Sequence, residues 1–434
     1  MQSLVGLLGL LGLAWLLSNN RRHVDLRLVL WGTGLQLIFA FLILATTPGR
    51  AVFSWMNDAV IILLGFTEKG ASFVFGNLIK NNVPVGTPLG DPTMGPVIPP
   101  NQTSWANTGA FFAFNILPTI IFFSSLMTVL YHARVMQHAV SFFARIMQST
   151  MKTSGSETLS SAANIFLGQT EAPLCVKPYV PAMTNSELMA VMVGGFANTA
   201  GGVLAAYVGM LKGHFPDIAG HLISVSVMSA PASLVIAKIM FPETEQSMTR
   251  GRVKMSVEKI DANVIDAAAR GASEGLALAL NVGAMLIAFI ALVAMINWGV
   301  GALGGLVGHP DLSLQLIFGY LFWPLAWMMG IPAGDCAAAG QLLGTKTVLN
   351  EFAAYLDLSA MLQNPASPLR PRSIIIVTYA LCGFANFASI AIQIGGIGGM
   401  APNRRSDLAR LGLRAMIGGS IATFMCAAIA GLLI

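Results

Sequence analysis

The sequence contains eight apolar runs, each about as long as a helix that crosses the ~30 Å hydrocarbon layer of a bilayer, roughly 20 residues. A soluble domain carries about a quarter charged residues, whereas this chain is 55% apolar and only 10% charged. A closed barrel would show many alternating segments of about ten residues instead. The pattern therefore predicts an all-α polytopic membrane protein. The eight predicted spans lie near 2–18, 27–46, 109–131, 187–211, 219–240, 272–302, 372–398 and 408–434.

The distribution of basic residues around these runs predicts an orientation in the membrane. The first run has no basic residue before it and is followed by Arg21, Arg22 and Arg27, which indicates a retained helix rather than a cleaved signal. By the positive-inside rule, the loop that carries these arginines is cytoplasmic and the N-terminus lies outside. Eight spans then return the C-terminus to the outside. The pI near 9.1 reflects basic residues on the inner side, where they face lipid phosphates. We therefore do not interpret it as a sign of nucleic-acid binding.

Two segments next to the spans are predicted to lie at the membrane surface. The stretch WMNDAVIILLGF, residues 55–66, is too short and broken to cross, and predicts an interfacial helix before a Pro- and Gly-rich outer loop. Residues 247–275 carry charges on a helical pattern, which is typical of an amphipathic helix on a membrane surface. We expect this second helix to lie on the inner side and to lead into the sixth span.

Two further stretches fit no span and instead predict re-entrant helical hairpins. Residues 157–183 and 314–352 each show a helix-like half, a tip containing Gly and Pro, and a second helix-like half. The tips are GQTEAP at 168–173 and GIPAGD at 330–335. Each half is too short or too interrupted to cross a bilayer alone. Non-helical backbone at such a tip is tolerated only where it is buried in protein or lines an aqueous cavity.

Each predicted hairpin is followed by a span that carries the same tripeptide, Phe-Ala-Asn. It occurs in GGFANTAGGVLAAY at 194–207 and in CGFANFASIAIQIGG at 382–396, and a final span follows each. In the predicted topology the first hairpin enters from the inside and the second from the outside. This order is typical of inverted-topology repeats, which are common in transporters and bind the transported substrate at the repeat interface near the membrane midplane.

Three acidic residues are candidates for function, because an ionised carboxylate at mid-bilayer costs about 2.5 kcal/mol or more. They are Glu171 in the first tip, Asp335 in the second tip and Glu351 at the end of the second hairpin. The alternative for each is a helix cap, and Asp335 is well placed for that role just before CAAAGQLL. We favour Glu171 and Glu351 as direct ligands.

Neutral polar residues accumulate at the same places. A single residue of this kind is often a hydrogen-bonding contact between helices. This many, facing two tips, predict a polar cavity for a neutral, hydroxylated and planar solute, with Phe384 available for stacking. The residues are Asn164, Gln169 and Thr170 in the first hairpin, Asn198 and Thr199 in the fourth span, and Asn386 and Ser389 in the seventh.

A neutral solute moves uphill only if its movement is coupled to that of an ion. Half-helix ends and freed carbonyl groups beside Asn164 and Asn198 offer oxygen ligands of the kind that sodium accepts. The sequence therefore favours a secondary active transporter with sodium as its coupling ion.

Three other classes of membrane protein fit the sequence less well. An enzyme would need a nucleophile and base or a metal cluster, yet the histidines are scattered and only Cys336 lies beside a tip. A passive channel would line a continuous pore and conduct without an ion gradient. A carrier of another small polar solute, such as an amino acid, would favour tips rich in Ser and Gly with a fixed Arg.

The four cysteines lie in apolar stretches without paired spacing, so we interpret them as small hydrophobic residues rather than as disulfides or metal ligands. They are Cys175, Cys336, Cys382 and Cys426.

Three stretches of the sequence resemble the concentrative nucleoside transporter family closely and in the family's order. They are GQTEAP at 168–173, GTKTVLNEFAAY at 344–355 and PRSIIIVTYALCGFANFASIAI at 371–392. The agreement runs from about residue 60 to the C-terminus. The resemblance implies a symporter of the bacterial inner membrane that imports nucleosides such as uridine, forms a homotrimer among membrane lipids, and uses no organic cofactor. It also implies a scaffold domain and a transport domain that moves like an elevator.

The resemblance assigns the nucleoside to two hairpins and the seventh span. It implies that the base contacts Gln169, Thr170 and Glu171, that the ribose hydroxyls bind Glu351, Asn386 and Ser389, and that Phe384 lines the pocket.

The resemblance also implies an ion site in the first repeat. Na⁺ would be held by Asn164, the carbonyl near Leu167, and the break at Asn198 and Thr199. Sodium-coupled members of the family usually carry a small hydroxyl residue where Asn198 stands. H⁺ is therefore the alternative coupling ion, with Glu171 as the titrating group.

On this basis we divide the chain into five segments. The expected fold has eight transmembrane helices, two oppositely oriented re-entrant hairpins and an inverted repeat. Residues 1–108 hold N-terminal scaffold helices, the interfacial segment and the outer loop; 109–156 the third transmembrane helix and an inner loop; 157–246 the first hairpin repeat of the transport domain, with the fourth and fifth spans; 247–313 the inner amphipathic helix and the long sixth span of the scaffold; and 314–434 the second hairpin repeat, with the seventh and eighth spans.

Overall fold

The computed structural model describes residues 1–80, 82–85, 104–107, 112–249, 261–306, 308–309, 311–364 and 369–434. Within these residues the chain is almost entirely helical. The first nine helices are α1 (Gln2–Leu16), α2 (Leu26–Ala40), α3 (Thr47–Phe75), α4 (Leu117–His132), α5 (Val135–Met151), α6 (Gly155–Ala163), α7 (Asn185–Ala197), α8 (Gly201–Leu211) and α9 (Ile218–Met240). The next eight are α10 (Val264–Leu306), α11 (Leu314–Leu321), α12 (Trp323–Met328), α13 (Cys336–Val348), α14 (Glu351–Gln363), α15 (Pro371–Leu381), α16 (Phe387–Met400) and α17 (Arg405–Leu433). Two short strands, β1 (Asn82–Val85) and β2 (Ser104–Asn107), pair antiparallel between α3 and α4.

Seven helical stretches of the described residues are long and apolar enough to cross a membrane, so the chain is a multi-pass membrane protein. Six of them coincide with predicted spans. Of the other two predicted spans, the first is the 15-residue helix α1, and the seventh is divided into the half-helices α15 and α16. The seven stretches are Leu26–Ala45, Thr47–Ile79, Phe112–His132, Asn185–Leu211, Ile218–Met240, Val264–Leu306 and Pro402–Leu433.

The helix α3 is longer than the sequence predicted. It is continuous over 29 residues, whereas the pattern indicated a short and broken segment. Pro48 occupies its first turn, where proline does not interrupt a helix. Polar residues along α3 contact other helices: Asn57 accepts a hydrogen bond from the Gly220 amide, and Glu68 pairs with Lys212. That α3 lies along the membrane surface stays a prediction.

The sixth span is a single helix of 43 residues, α10, about 65 Å long at 1.5 Å per residue. The amphipathic helix predicted over 247–275 is not a separate element in its described part, because residues 264–275 form the first turns of α10. Residues 250–260 of that prediction lie outside the described residues. Arg270 donates two hydrogen bonds to Asp261, with N to O distances of 2.7 and 2.9 Å, and these tie the start of α10 to the preceding turn.

The first hairpin is present, and its tip lies where the sequence placed it. The helix α6 forms one half, and after the turn at 164–171 a 3₁₀ segment (Ala172–Ala182) forms the other. The second half contains Pro173, Pro178 and Pro181, which lack the backbone donors that an α-helix needs. These prolines explain why the second half is not α-helical.

Buried charges anchor the base of the first hairpin. The Lys238 ammonium of α9 lies 2.6 Å from Oε2 of Glu157 in α6 and donates a hydrogen bond to the Ser186 hydroxyl of α7. Both charged residues are buried. Beside them, Glu187 of α7 accepts hydrogen bonds from the hydroxyl groups of Ser156, Ser247 and Thr249. The contacts join α6, α7, α9 and the segment that follows α9 into one unit.

The second hairpin lies further along the chain than predicted. The turn GIPAGD, residues 330–335, packs at the start of α15, where Asp335 accepts hydrogen bonds from the Arg370 amide and the Ser373 hydroxyl (3.0 and 2.6 Å). The re-entrant hairpin consists instead of α13 and α14. Its tip contains neither Gly nor Pro. Instead, Asn350 caps the start of α14, where its Oδ1 accepts a hydrogen bond from the Ala353 amide (2.9 Å). Asp335 is therefore a structural residue at the base of this hairpin.

The fourth and seventh spans are both interrupted at their Phe-Ala-Asn sequences, as predicted. Residues 198–200 separate α7 from α8, and residues 382–386 separate α15 from α16. The second break passes directly over the first: Gly383 has φ 138°, and a Cβ at that position would lie 2.8 Å from the carbonyl oxygen of Phe196. The close approach and the positive φ both require glycine at this position.

The two repeats run in opposite directions, which confirms the predicted inverted arrangement. Just after α1, the Asn19 amide donates a hydrogen bond to the Met240 carbonyl at the end of α9. At the start of α1, Ser3 lies against Gly431, near the end of α17. The final helix of the first repeat and the final helix of the second therefore end at opposite ends of α1.

The repeats also form the centre of the molecule. In the apolar windows of α9 and of α7 with α8, 94% and 89% of residues are buried, against 19% for α10 and 17% for α3. The helix α10 packs along α4 at the periphery. The fourth and fifth spans are thus enclosed by the other helices, whereas in the second broken span α16 buries only Ser389, Gln393, Ile397 and Gly398.

Candidate functional site

The tip of the second hairpin meets the two broken spans at Glu351. Its Oε1 accepts a hydrogen bond from the Tyr207 hydroxyl of α8 (3.1 Å), and its Oε2 accepts one from Nδ2 of Asn386 (2.9 Å). Glu351 is the first residue of α14, which begins where the hairpin turns, and its side chain is buried. One carboxylate thus joins the second hairpin to both repeats.

The same network continues to the tip of the first hairpin. Asn386 caps α16 by accepting a hydrogen bond from the Ser389 amide (Oδ1 to N, 2.9 Å). This cap places the Ser389 hydroxyl where it accepts a hydrogen bond from Nε2 of Gln169 (3.2 Å). Three of these residues, Gln169, Asn386 and Ser389, are buried. The structure therefore brings together four of the predicted substrate residues, one from each hairpin and two from the seventh span.

A further glutamine of α16 holds Gln169 from the other side. Nε2 of Gln393 donates hydrogen bonds to Oε1 of Gln169 (3.1 Å) and to the Met192 carbonyl of α7 (3.2 Å). This contact requires Gly195, because a Cβ there would lie 2.7 Å from Nε2 of Gln393. The first tip is thereby fixed to both broken spans.

The other predicted substrate residues lie around this network. Thr170 is half-buried beside Gly396 of α16, and Phe384 is half-buried in the second break. Glu171 is exposed, and its Oε2 accepts a hydrogen bond from the Gly168 amide of its own tip (3.2 Å). Glu171 is therefore at the edge of the cluster rather than within it.

Of the predicted ion ligands, Asn164 shows the clearest sign of a missing partner. It is fully buried, and neither atom of its amide has a hydrogen-bond partner among the described residues. A buried amide without a partner is costly, and an amide oxygen is a suitable ligand for a hard cation. Leu167, in the same turn, is also buried. The structure thus leaves an unpaired polar group at the predicted position.

The first break supplies the other two predicted ion ligands. Asn198 donates a hydrogen bond from Nδ2 to the Gly194 carbonyl (3.2 Å) and accepts one from the Ser229 hydroxyl. A Cβ on Gly194 would lie 3.1 Å from Nδ2 of Asn164, so Asn164 and the break adjoin at this glycine. The Thr199 hydroxyl lies 3.7 Å from Sγ of Cys382.

Two members of the network, Tyr207 and Gln393, were not singled out from the sequence. Both lie in the stretches that contain Phe-Ala-Asn, each on the half-helix that follows the break. Gln393 is a lone amide in the apolar run IAIQIGG, and a polar residue inside a span usually faces the protein interior. That signal could have identified Gln393 in the sequence. Tyr207 carries no such signal, because tyrosine is common in apolar segments.

Comparisons with known proteins agree with this architecture along the whole chain. Residues 5–78 and 221–431 match the N-terminal and C-terminal models of Na⁺ dependent nucleoside transporters. Residues 113–213, which include the first hairpin and the first break, match a model described as nucleoside recognition.

Full-length relatives are also similar. The chain is 45% identical to an uncharacterized transporter of Haemophilus influenzae over 100% of this chain and 98% of that protein. It is 41% identical to solute carrier family 28 member 3 of Mus musculus over 99% of this chain, which corresponds to 58% of the mouse protein.

The fold matches solved structures of CNTnw. For the inward-facing, substrate-bound state the TM-score is 0.86 at 41% identity, covering 100% of this chain and 97% of that one. For a CNTnw variant in an intermediate state the TM-score is 0.88 at 42% identity, covering 100% of this chain and 99% of that one.

Two opposed hairpins whose tips meet two broken spans define a membrane transporter built as an inverted repeat. The matching models and the relatives that align over the full chain identify it further. The chain belongs to the concentrative nucleoside transporter family, which consists of transporters and not of enzymes.

Proposed function

We propose that this protein is a sodium-coupled symporter that imports nucleosides such as uridine. The observation that carries the proposal is the buried network from Gln169 through Ser389 and Asn386 to Glu351. It joins both hairpin tips and offers several hydrogen-bonding groups in a water-poor interior. Such a site suits a ligand that is neutral, polar on several sides and small.

The chemistry of these residues fits the two halves of a nucleoside. A carboxylate accepts hydrogen bonds from neighbouring hydroxyls, so Glu351 would bind the ribose together with Asn386 and Ser389. Gln169, Thr170 and Glu171 would then contact the base, with Phe384 lining the pocket.

The unpaired amide of Asn164 supports a sodium site in the first repeat. The ion would be held by Asn164, the carbonyl of Leu167, and the break at Asn198 and Thr199. One Na⁺ crossing 100 mV releases ~2.3 kcal/mol, and a tenfold gradient adds ~1.4 kcal/mol. The sum sustains roughly several hundred-fold accumulation of a neutral solute.

The transport cycle would move the hairpin repeats as a unit past the peripheral helices, in an elevator-type alternating-access mechanism. The buried charges that join α6, α7 and α9 support movement of the first repeat as one body. We further propose a homotrimer in the bacterial inner membrane with both termini outside.

H⁺ is the second candidate for the coupling ion. Asn198 offers an amide where the family resemblance implies a small hydroxyl residue in sodium-coupled members, and both of its polar atoms already have partners. Glu171 is exposed at the first tip and would be the group that takes up the proton.

Uptake of labelled uridine into proteoliposomes tests the function and the ion together. We expect accumulation under an inward Na⁺ gradient and none when K⁺ replaces Na⁺. Accumulation under an inward pH gradient without Na⁺ would establish proton coupling instead. Equal uptake with no gradient of either ion would overturn the symport proposal.

A further inference from the structure

We propose that Gln393 is a specificity-determining residue that fixes the orientation of the Gln169 amide. In this orientation the first hairpin presents hydrogen-bond donors to the substrate. The site then selects nucleosides that offer an acceptor, such as a carbonyl oxygen, at the facing position. This inference rests on the proposed nucleoside function.

The first step is the orientation of Gln393 itself. Its side chain is buried in α16, and its nearest fixed partner is the backbone carbonyl of Met192, 3.2 Å from Nε2. A carbonyl oxygen only accepts hydrogen bonds. The amide nitrogen of Gln393, rather than its oxygen, must therefore face Met192.

The second step transfers this orientation to Gln169. The same Nε2 of Gln393 lies 3.1 Å from Oε1 of Gln169, and its two N–H groups are then both used. Because Gln393 donates, the side of Gln169 that faces it must be the oxygen. The Gln169 nitrogen consequently points to the opposite side, toward Ser389.

The third step concerns what remains for a ligand. Nε2 of Gln169 donates to the Ser389 hydroxyl oxygen at 3.2 Å, which uses one of its two N–H groups. The second N–H and the proton of the Ser389 hydroxyl are left to donate. Both residues therefore offer donors to a bound molecule.

Without Gln393 the site would not discriminate between donors and acceptors on the substrate. A free glutamine amide exposes either its oxygen or its nitrogen after a half-turn, so it can pair with a donor or with an acceptor. When the amide is held, a substrate amino group that faces it leaves two donors opposed and buried. A mismatch of this kind weakens binding about tenfold or more.

Three nucleosides test the inference on purified protein in Na⁺-containing buffer. Uridine carries carbonyl oxygens at positions 2 and 4 of the base, cytidine carries an amino group at position 4, and isocytidine carries one at position 2. For the wild-type protein we expect one of the two amino nucleosides to bind about tenfold more weakly than uridine. In Gln393→Met, which keeps the side-chain length but removes the donors, we expect that ratio to fall to about twofold.

A second variant makes the test sharper. In Gln393→Glu, a protonated carboxyl group places its hydroxyl oxygen where Nε2 of Gln393 contacts both Met192 and Gln169. This hydroxyl donates its single proton to the Met192 carbonyl and its oxygen can accept from Nε2 of Gln169, which then turns its own oxygen toward the substrate. We expect this variant to favour the amino nucleoside over uridine. Gln36→Met is the matched control, because Gln36 is a buried glutamine of α2 whose amide bonds Gly32. It should keep the wild-type ratio.

The outcomes separate the inference from the proposed function. If the wild-type protein binds no nucleoside, the function itself fails. If it binds uridine but does not discriminate, or if both Gln393 variants keep the wild-type ratio, the function stands and the role of Gln393 is overturned. An equal loss of affinity for all three nucleosides in both variants also overturns it, because a merely structural residue would act in that way.

Discussion

The backbone amide of Phe384 donates a hydrogen bond to the backbone carbonyl of Asn198, with an N to O distance of 3.3 Å. These residues belong to the two copies of the Phe-Ala-Asn sequence, one in each repeat. The bond shows that the two helix breaks cross in direct contact. The polar groups that the breaks free from helical hydrogen bonding are consequently concentrated at one place, beside both hairpin tips.

Glu351→Gln is expected to abolish uridine uptake while the protein still folds. The carboxylate accepts from Tyr207 and Asn386 on its two oxygens, and an amide cannot accept on both sides. Uptake into proteoliposomes and a thermal-shift measurement check the two parts of the prediction. Glu68→Gln, at a partly exposed ion pair with Lys212, is the control. Wild-type uptake in Glu351→Gln would remove this residue from the site.

Tyr207→Phe should weaken uridine binding about fivefold. The change deletes a single hydrogen bond to Glu351, and such a bond contributes about 1 kcal/mol. The measurement is the Kd of the purified protein. Tyr355→Phe is the matched control, since Tyr355 stacks on Tyr207 at 4.3 Å but donates its hydroxyl to Thr378. Equal effects of the two changes would mean that packing, and not the bond to Glu351, matters.

Asn164→Ala should raise the Na⁺ concentration for half-maximal uptake without lowering the melting temperature in the absence of Na⁺. The Asn164 amide has no partner among the described residues, so its removal breaks no hydrogen bond within them. Asn198→Ala should also raise the Na⁺ requirement, but with a lower melting temperature, because it loses two hydrogen bonds. Unchanged Na⁺ dependence in both variants would move the ion site elsewhere.

Gly383→Ala should destabilise the protein by roughly 2 kcal/mol or more. The position combines φ 138° with a Cβ that would lie 2.8 Å from the Phe196 carbonyl oxygen. Thermal unfolding in detergent measures the effect. Gly395→Ala in α16 is the control, because no atom lies within 4 Å of a Cβ added there. A melting temperature like that of the control would contradict the crossing of the two breaks.

Lys238→Met should destabilise the protein by about 3 to 5 kcal/mol, since it leaves the buried carboxylate of Glu157 without its cation. The double variant Lys238→Met with Glu157→Gln removes both charges and should recover part of the loss. Thermal unfolding of the two single variants and the double variant gives the coupling energy. Additive losses would show that Lys238 and Glu157 act independently.

Local patterns in the sequence predicted most of the helices and the first hairpin tip. Gly168 and Pro173 flank that tip, and both residue types disfavour the interior of a helix. The second tip was misplaced for the same reason: GIPAGD contains the usual helix breakers, yet it forms the base of the hairpin. The true tip is made by Asn350, whose side chain caps the next helix, and a cap of this kind is hard to recognise inside an apolar run.

The sequence by itself determined that the chain is a helical membrane protein and that it contains two related halves. It also identified the polar residues that lie in apolar runs with no neutralising charge nearby in the chain. These properties are local, because hydropathy, helix breakers and repeated tripeptides are read over about twenty residues. Only the tertiary structure decided which polar groups pair. Gln169 meets Ser389 and Gln393 across 220 and 224 positions of the chain, and contacts of that length depend on how whole helices pack against each other.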